Sequence, residues 1–105
     1  MIEIFSKNKT IYGSLDLEAS KSISNRVLII EEFCKTKFEI QNLSNAKDTK
    51  ILNKILCSFE TKKDINCEDA GTALRFAIAF LATKQGVWKI SGSKRMHERP
   101  IKPLI

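Results

Sequence analysis

Residues 70–83 are apolar on almost every side of a helix, and this segment constrains the fold more than any other part of the chain. Its apolar residues are Ala73, Leu74, Phe76, Ala77, Ile78, Ala79, Phe80, Leu81 and Ala82. A helix with this pattern requires burial on most of its sides. Asp69 is a candidate N-cap for it, and Gly86 is expected to end it.

Two further helices and several strands are predicted. One helix begins near Ser22, and its apolar stripe consists of Ile23, Val27, Ile30 and Cys34. Another helix follows a candidate cap formed by Asn45 and Asp48, and its apolar face consists of Ile51, Leu52, Ile55, Leu56 and Phe59. Strands are predicted over residues 2–5, 10–17, 37–43, 65–67 and 87–91. This order indicates an α/β or α+β fold with about three helices on a sheet, and leaves the strand order open.

The composition is that of one small globular domain. The chain has 105 residues, of which 43% are hydrophobic and 29% charged. No apolar stretch approaches the ~20 residues of a membrane span, and no signal peptide is visible. Cys34, Cys57 and Cys67 fit neither a disulfide framework nor a zinc pattern, which favours reduced thiols in a cytoplasmic protein. The net charge of +6 favours an anionic partner, which could be nucleic acid, acidic lipid or a phosphorylated metabolite.

Two polar clusters stand at predicted helix starts, where free backbone N–H groups and the helix dipole attract anions. In the first cluster, Lys21 and Ser22 lie at the N-terminus of the helix, and Arg26 lies one turn further along on the same face. Arginine offers a planar fork for phosphate or carboxylate. The second cluster runs from Asp69 to Arg75, and its Gly71 permits close approach of a ligand. Both clusters are also compatible with solvated, capped helix starts.

A third cluster lies in the basic segment over residues 94–105. It reads Arg95-Met96-His97-Glu98-Arg99-Pro100-Ile101, with a proline suited to a helix start. The cluster fits either a basic clamp or an exposed basic tail. The chain then stops on apolar residues, which is typical of a cut and not of a finished domain.

Together the three clusters resemble the EPSP synthase family, the 3-phosphoshikimate 1-carboxyvinyltransferases. The family pattern Gly-Ser-Lys-Ser-x-Ser-Asn-Arg is similar to residues 19–26, Asn-Ala-Gly-Thr-Ala-x-Arg to residues 69–75, and Arg-Met-x-Glu-Arg-Pro-Ile to residues 95–101. The segment 42–49 resembles the family's Asn-Leu…Asp-Thr stretch. Ala19 and Asp69 depart from the family's glycine and asparagine, and Asp69 adds negative charge near an anion site.

The resemblance implies transfer of the enolpyruvyl group from phosphoenolpyruvate to shikimate 3-phosphate, with release of phosphate and without a metal or organic cofactor. Lys21 would contact both substrates, and Ser22 and Arg26 would hold shikimate 3-phosphate. Asp69, Gly71 and Arg99 would form the phosphoenolpyruvate pocket together with Lys21, and the inhibitor glyphosate would bind there. Arg75 and Glu98 would be structural.

The family fold implies an inside-out α/β barrel built from βαβαββ units. Residues 1–19 would hold the crossover strands and residues 20–105 the first part of the N-terminal domain. The remaining part of the enzyme, with its catalytic carboxylates, would be the partner of this fragment. The fragment alone is expected to be inactive and to self-associate through exposed apolar faces and strand edges.

Two rival interpretations remain. The charge and the basic segment are compatible with a nucleic-acid-binding module, although the aromatic residues are few and scattered and no nucleic-acid-binding motif is present. The chain could instead be a non-catalytic interaction domain that has kept the family's sequence. The family interpretation itself predicts no nucleic-acid partner and no membrane.

Overall fold

The structure, a computed structural model, describes residues 1–8 and 10–101. Its elements in chain order are α1 (Lys21–Phe33), α2 (Lys47–Leu56), β1 (Asp64–Asn66), α3 (Gly71–Leu81), β2 (Lys89–Ser91) and α4 (Lys94–His97). Strands β1 and β2 pair in parallel, with Ile65 opposite Ile90. The result is a small parallel sheet with helices, which agrees with the predicted mixed α/β class. The apolar residues at the end of the chain, Leu104 and Ile105, lie outside the described residues.

Helix α3 is the crossover between β1 and β2, because a parallel strand pair cannot be joined by a tight turn. Both strands therefore end at the same edge of the sheet. Residues 67–70 lead from β1 into α3, and residues 92–93 lead from β2 into α4. The two loops are hydrogen-bonded to each other, since Cys67 N–H donates to the Ser91 carbonyl at 2.8 Å and Ser93 N–H donates to the Glu68 carbonyl at 2.6 Å.

The core forms around α3, as its composition predicted. The buried residues of this helix are Gly71, Ala73, Leu74, Ala77, Phe80 and Leu81. Phe80 is 1% exposed and contacts the rings of Phe33 and Phe59 edge-on, with centroids 5.6 and 5.1 Å away. Helix α2 packs Leu52, Ile55 and Leu56 into the same core. Only the side of α3 that carries Arg75 and Ala79 faces outward, together with Ala82 just after the helix.

The predicted apolar stripe of α1 is not its buried face. Ile23 and Ile30 are 62% and 55% exposed, whereas Ser24, Asn25 and Leu28 are buried. Two contacts accompany this orientation: the Ser24 hydroxyl accepts from Ser44 N–H at 3.0 Å, just before α2, and Leu28 packs into the apolar core. Periodicity detects an apolar stripe but cannot detect that a buried serine binds a neighbouring backbone.

Three of the predicted strands do not form. Residues 2–5, 10–17 and 37–43 have no regular structure, because a strand requires a partner and none of the described residues pairs with them. The apolar side chains of the first two segments stand in solvent: Ile2, Ile4, Phe5, Ile11, Tyr12, Leu15 and Leu17 are all at least 80% exposed. This extended start explains a radius of gyration of 18.1 Å, compared with about 13 Å for a compact chain of this length.

Several predicted boundaries also differ. Ala46 and Ala70 occupy the N-cap positions of α2 and α3, and neither helix has a side-chain cap. The caps predicted at Asn45 and Asp69 are therefore wrong. Phe59 is buried, but it lies beyond the end of α2. Pro100 follows α4 and does not start a helix within the described residues.

The three cysteines are free thiols in the structure. Cys34, Cys57 and Cys67 are free, and burial raises the pKa of the Cys67 thiol to about 11. A thiol with a pKa that high is a poor nucleophile at neutral pH.

Over residues 1–8 and 10–101, no helix combines the length and the apolar character that crossing a bilayer demands.

Because Phe80 joins the rings from α1 and from the turn after α2, we expect Phe80→Ala to unfold the chain. Such a truncation costs roughly 3–5 kcal/mol, which is most of the stability of a small domain. Thermal unfolding followed by circular dichroism tests this. Phe5→Ala is the matched control, because Phe5 is 80% exposed and its loss should leave the transition in place. Equal melting curves for the two variants would contradict the assigned core.

Candidate anion-binding site

The first turns of α1, α2 and α3 meet at the carboxylate of Asp48. Lys21, the first residue of α1, places its Nζ 3.5 Å from Asp48 Oδ1. Thr72, the second residue of α3, donates its backbone N–H to Asp48 Oδ2 at 3.2 Å. Three helix N-termini each present positive dipole ends and free N–H groups. Their convergence produces a surface suited to negative charge.

Helix α1 separates its polar residues into an exposed face and a buried face. The N-cap Ser20 accepts from Ile23 N–H at 3.4 Å. Ser22 and Arg26 are exposed, and Arg26 Nη1 donates to the Ser22 carbonyl at 3.4 Å. The structure thus places Lys21, Ser22 and Arg26 on the solvent side of the first turns, where a ligand can reach them.

The start of α3 lies beneath an arginine from the segment after α4. A methyl group built on Gly71 would lie 2.5 Å from Arg99 Nη1 and 3.5 Å from Met96 Cε. Met96 is 3% exposed and anchors this segment, and Arg99 N–H donates to the Met96 carbonyl at 3.2 Å. The absence of a side chain at Gly71 therefore lets the Arg99 guanidinium rest against the first residue of α3. Two residues that are far apart in the sequence therefore lie side by side.

Asp69 does not cap α3 but forms an ion pair with Lys47, the first residue of α2. Lys47 Nζ lies 2.7 Å from Asp69 Oδ1 and 2.9 Å from Glu68 Oε2. The hydrogen bond to Asp69, followed by the bond to Glu68, holds the pKa of the Lys47 ammonium above its ordinary value. The same bond from Lys47 holds the pKa of the Asp69 carboxyl below its ordinary value, and the charge of Arg95 acts weakly in that direction. Lys47 thus compensates the negative charge of Asp69.

Arg75 contacts the segment that follows α4. Arg75 lies on the exposed side of α3 and donates to the Pro100 carbonyl at 3.1 Å, which ties the segment after α4 to α3. Its partner is a backbone carbonyl. His97 and Glu98 are exposed.

Sequence reasoning missed three members of this cluster. The sequence predicts no role for Lys47 or Thr72 by itself, and it predicts Asp48 only as a capping partner. Their exact positions in the first turn depend on the helix starts, and the predicted caps at Asn45 and Asp69 placed these starts one residue too early. What the sequence could not supply was the packing that brings the helix starts together.

Taken together, the parallel crossover and the converging helix starts define an α/β protein with basic side chains gathered at the carboxyl edge of its sheet. The EPSP synthase (3-phosphoshikimate 1-carboxyvinyltransferase) family model matches residues 56–105. A 3-phosphoshikimate 1-carboxyvinyltransferase of Bacteroides fragilis is 40% identical over 102 residues, which cover 97% of this chain and 24% of that protein. One from Ralstonia pickettii is 34% identical over 92% of this chain and 27% of its own length.

The chain accordingly belongs to the EPSP synthase family, and it spans about a quarter of the length of the curated relatives it matches. No solved structure was found to match it. The alternatives of a nucleic-acid-binding module or a non-catalytic interaction domain gain no support from these comparisons.

The ion pair between Lys47 and Asp69 predicts a specific pH response. The lowered pKa of Asp69 means that the pair stabilises the fold above the unfolded-state pKa, and that this contribution is lost as pH falls through the folded-state pKa. We expect Lys47→Gln to raise the pKa of Asp69 toward its ordinary value, as read by carboxyl-carbon NMR. Stability at neutral pH should change little, because both groups are exposed.

Lys50→Gln is the control for this titration, since Lys50 is an exposed lysine on the same helix. It should leave the titration of Asp69 as in the native chain. An unaltered pKa of Asp69 in Lys47→Gln would show that the pair does not form in solution.

Gly71→Ala should displace Arg99 without unfolding the chain. The new methyl group would collide with the end of a flexible side chain, which can move more easily than backbone, and alanine favours the helix. We expect a melting temperature close to the native value and a shifted NMR signal of the Arg99 Nε–H group. Gly13→Ala is the matched control, because nothing lies within 4 Å of a methyl group there. An unchanged Arg99 signal would contradict the assigned contact. Unfolding of the variant would contradict the expectation that only the Arg99 side chain has to move.

Proposed function

We propose that this chain supplies the first part of the substrate site of a 3-phosphoshikimate 1-carboxyvinyltransferase. The observation that carries the proposal is the meeting of separate sequence motifs at one place. Lys21 from α1 and the N–H of Thr72 from α3 share the Asp48 carboxylate, and Arg99 rests on Gly71. The matches to relatives that carry this enzyme name support the same assignment.

The proposed substrates are shikimate 3-phosphate and phosphoenolpyruvate, both of which carry phosphate and carboxylate groups. In this assignment Ser22 and Arg26 hold shikimate 3-phosphate on the exposed face of α1. Arg99 and the start of α3 at Gly71 hold phosphoenolpyruvate, with Asp69 beside them, and Lys21 lies between the two substrates. The excess of basic residues, 18 Lys and Arg against 12 Asp and Glu, is suited to ligands with this charge.

The chemical contribution of these residues is binding and electrostatic stabilisation. A guanidinium, an ammonium and free N–H groups of helices stabilise the negative charge that leaves with phosphate. General acid–base catalysis needs further groups within hydrogen-bond reach of the substrate, and the proposal assigns these to the remaining length of the enzyme. Glyphosate is proposed to occupy the phosphoenolpyruvate pocket.

The wider architecture is part of the same proposal. Residues 1–19 would provide the crossover strands, and residues 20–105 would begin the N-terminal domain of an inside-out α/β barrel in the cytoplasm. The exposed apolar residues near the start of the chain support this, since strands with such side chains gain stability only when they are paired. Self-association of the isolated chain through the same residues is a further part of the proposal.

An amide NMR titration with shikimate 3-phosphate tests the proposal. We expect shifts confined to residues 20–26 and 71–75, because the donors to the ligand lie at these helix starts, and no comparable shifts with inorganic phosphate. After addition of phosphoenolpyruvate to the same sample we expect no phosphate release above background.

Three outcomes would count against this assignment. The chain could fail to respond to shikimate 3-phosphate, or it could release phosphate on its own, which would show that no further residues are needed. It could also bind random oligonucleotides with a steep dependence on salt, which would favour a nucleic-acid-binding function instead.

A further inference from the structure

Asp48 has no role in the substrate contacts proposed above, although it lies at the centre of the cluster. Its side chain is 21% exposed, and both of its oxygens are engaged. Oδ2 accepts from the backbone of α3, whereas Oδ1 lies 3.5 Å from the ammonium of Lys21. A negative group at the centre of a surface suited to anions requires a physical explanation.

Backbone groups of two helices, α2 and α3, fix the position of the Asp48 carboxylate. It is the second residue of α2, where the helix dipole favours a carboxylate, and Thr72 N–H of α3 holds one of its oxygens. Lys21 is different, because its amino group ends a flexible chain and its side chain is 44% exposed. Asp48 is therefore the rigid member of the pair and Lys21 the adjustable one.

We propose that Asp48 is a positioning residue that holds the Lys21 ammonium between the starts of α1 and α3, ready to contact a phosphate or carboxylate ligand at either helix. This inference rests on the proposed function. An ammonium group has three donors. One directed at Asp48 leaves two for a ligand, and ordering Lys21 before binding lowers the entropy that binding would otherwise cost.

The alternative is that Asp48 only repels anions. The two roles predict opposite changes in anion affinity when the Asp48 carboxylate is removed. Two charges 4 Å apart interact by about 1 kcal/mol even in water, so removal of a merely repulsive carboxylate should tighten anion binding. Removal of a positioning carboxylate should weaken it, because Lys21 is then free to move. The direction of the change decides between the roles.

Asp48→Asn is the decisive variant. The amide oxygen can still accept from Thr72 N–H, so the helix junction is kept while the charge that holds Lys21 is lost. We expect shikimate 3-phosphate to bind about tenfold more weakly, as is common for coupled neighbouring groups. In the background of Lys21→Met, Asp48→Asn should have no further effect on the dissociation constant.

Two further variants complete the series. Asp16→Asn makes the same charge change in the exposed start of the chain and should leave the affinity unchanged. Asp48→Glu keeps the charge but moves it by one methylene, and its affinity should fall between those of the native chain and Asp48→Asn. It also provides a test if Asp48→Asn does not fold.

Equal or tighter binding by Asp48→Asn would overturn the proposal, and so would an equal loss in the Lys21→Met background. A ligand-free measurement separates this inference from the proposed function. The Nζ signal of Lys21 should be visible in a nitrogen-detected NMR spectrum of the native chain and lost in Asp48→Asn. If the native chain bound no shikimate 3-phosphate, the proposed function would fail, and this signal would still show whether Asp48 holds Lys21.

Discussion

The crossover of α3 between two parallel strands is the constraint on which the rest of this structure depends. Because β1 and β2 run in the same direction, both must end at one edge of the sheet. The helix start that follows β1 and the arginine segment that follows β2 therefore arrive side by side. The contact between Gly71 and Arg99 follows from this topology.

Burial of α3 makes the crossover stable. Its apolar side chains pack against α2 and, through Phe80, against Phe33 at the end of α1. This packing draws the helices together and brings their N-terminal turns to the same place. The same packing that buries the apolar core therefore also positions the polar cluster at the helix starts.

Charge in the cluster is balanced locally. Lys47 neutralises Asp69, and Asp48 accepts from Lys21 and from the backbone of α3. Basic groups that remain exposed, such as Arg26, keep the surface attractive to anions. The departure of Asp69 from the family's asparagine therefore does not leave an uncompensated charge at the site. Helix α1 also has apolar side chains in solvent. Ile23 and Ile30 are exposed and form a second apolar face of that helix.

The sequence by itself determined the three longer helices α1, α2 and α3, the apolar character of α3 and the three motifs that identify the family. These features depend on residues close together in the chain, so local periodicity and spacing reveal them. Only the tertiary structure decided which face of α1 is buried, which predicted strands lack partners, and that Asp48 joins three helix starts. Each of these depends on contacts between residues distant in sequence, such as Ser24 with Ser44 and Asp48 with Thr72, and local patterns carry no information about such contacts.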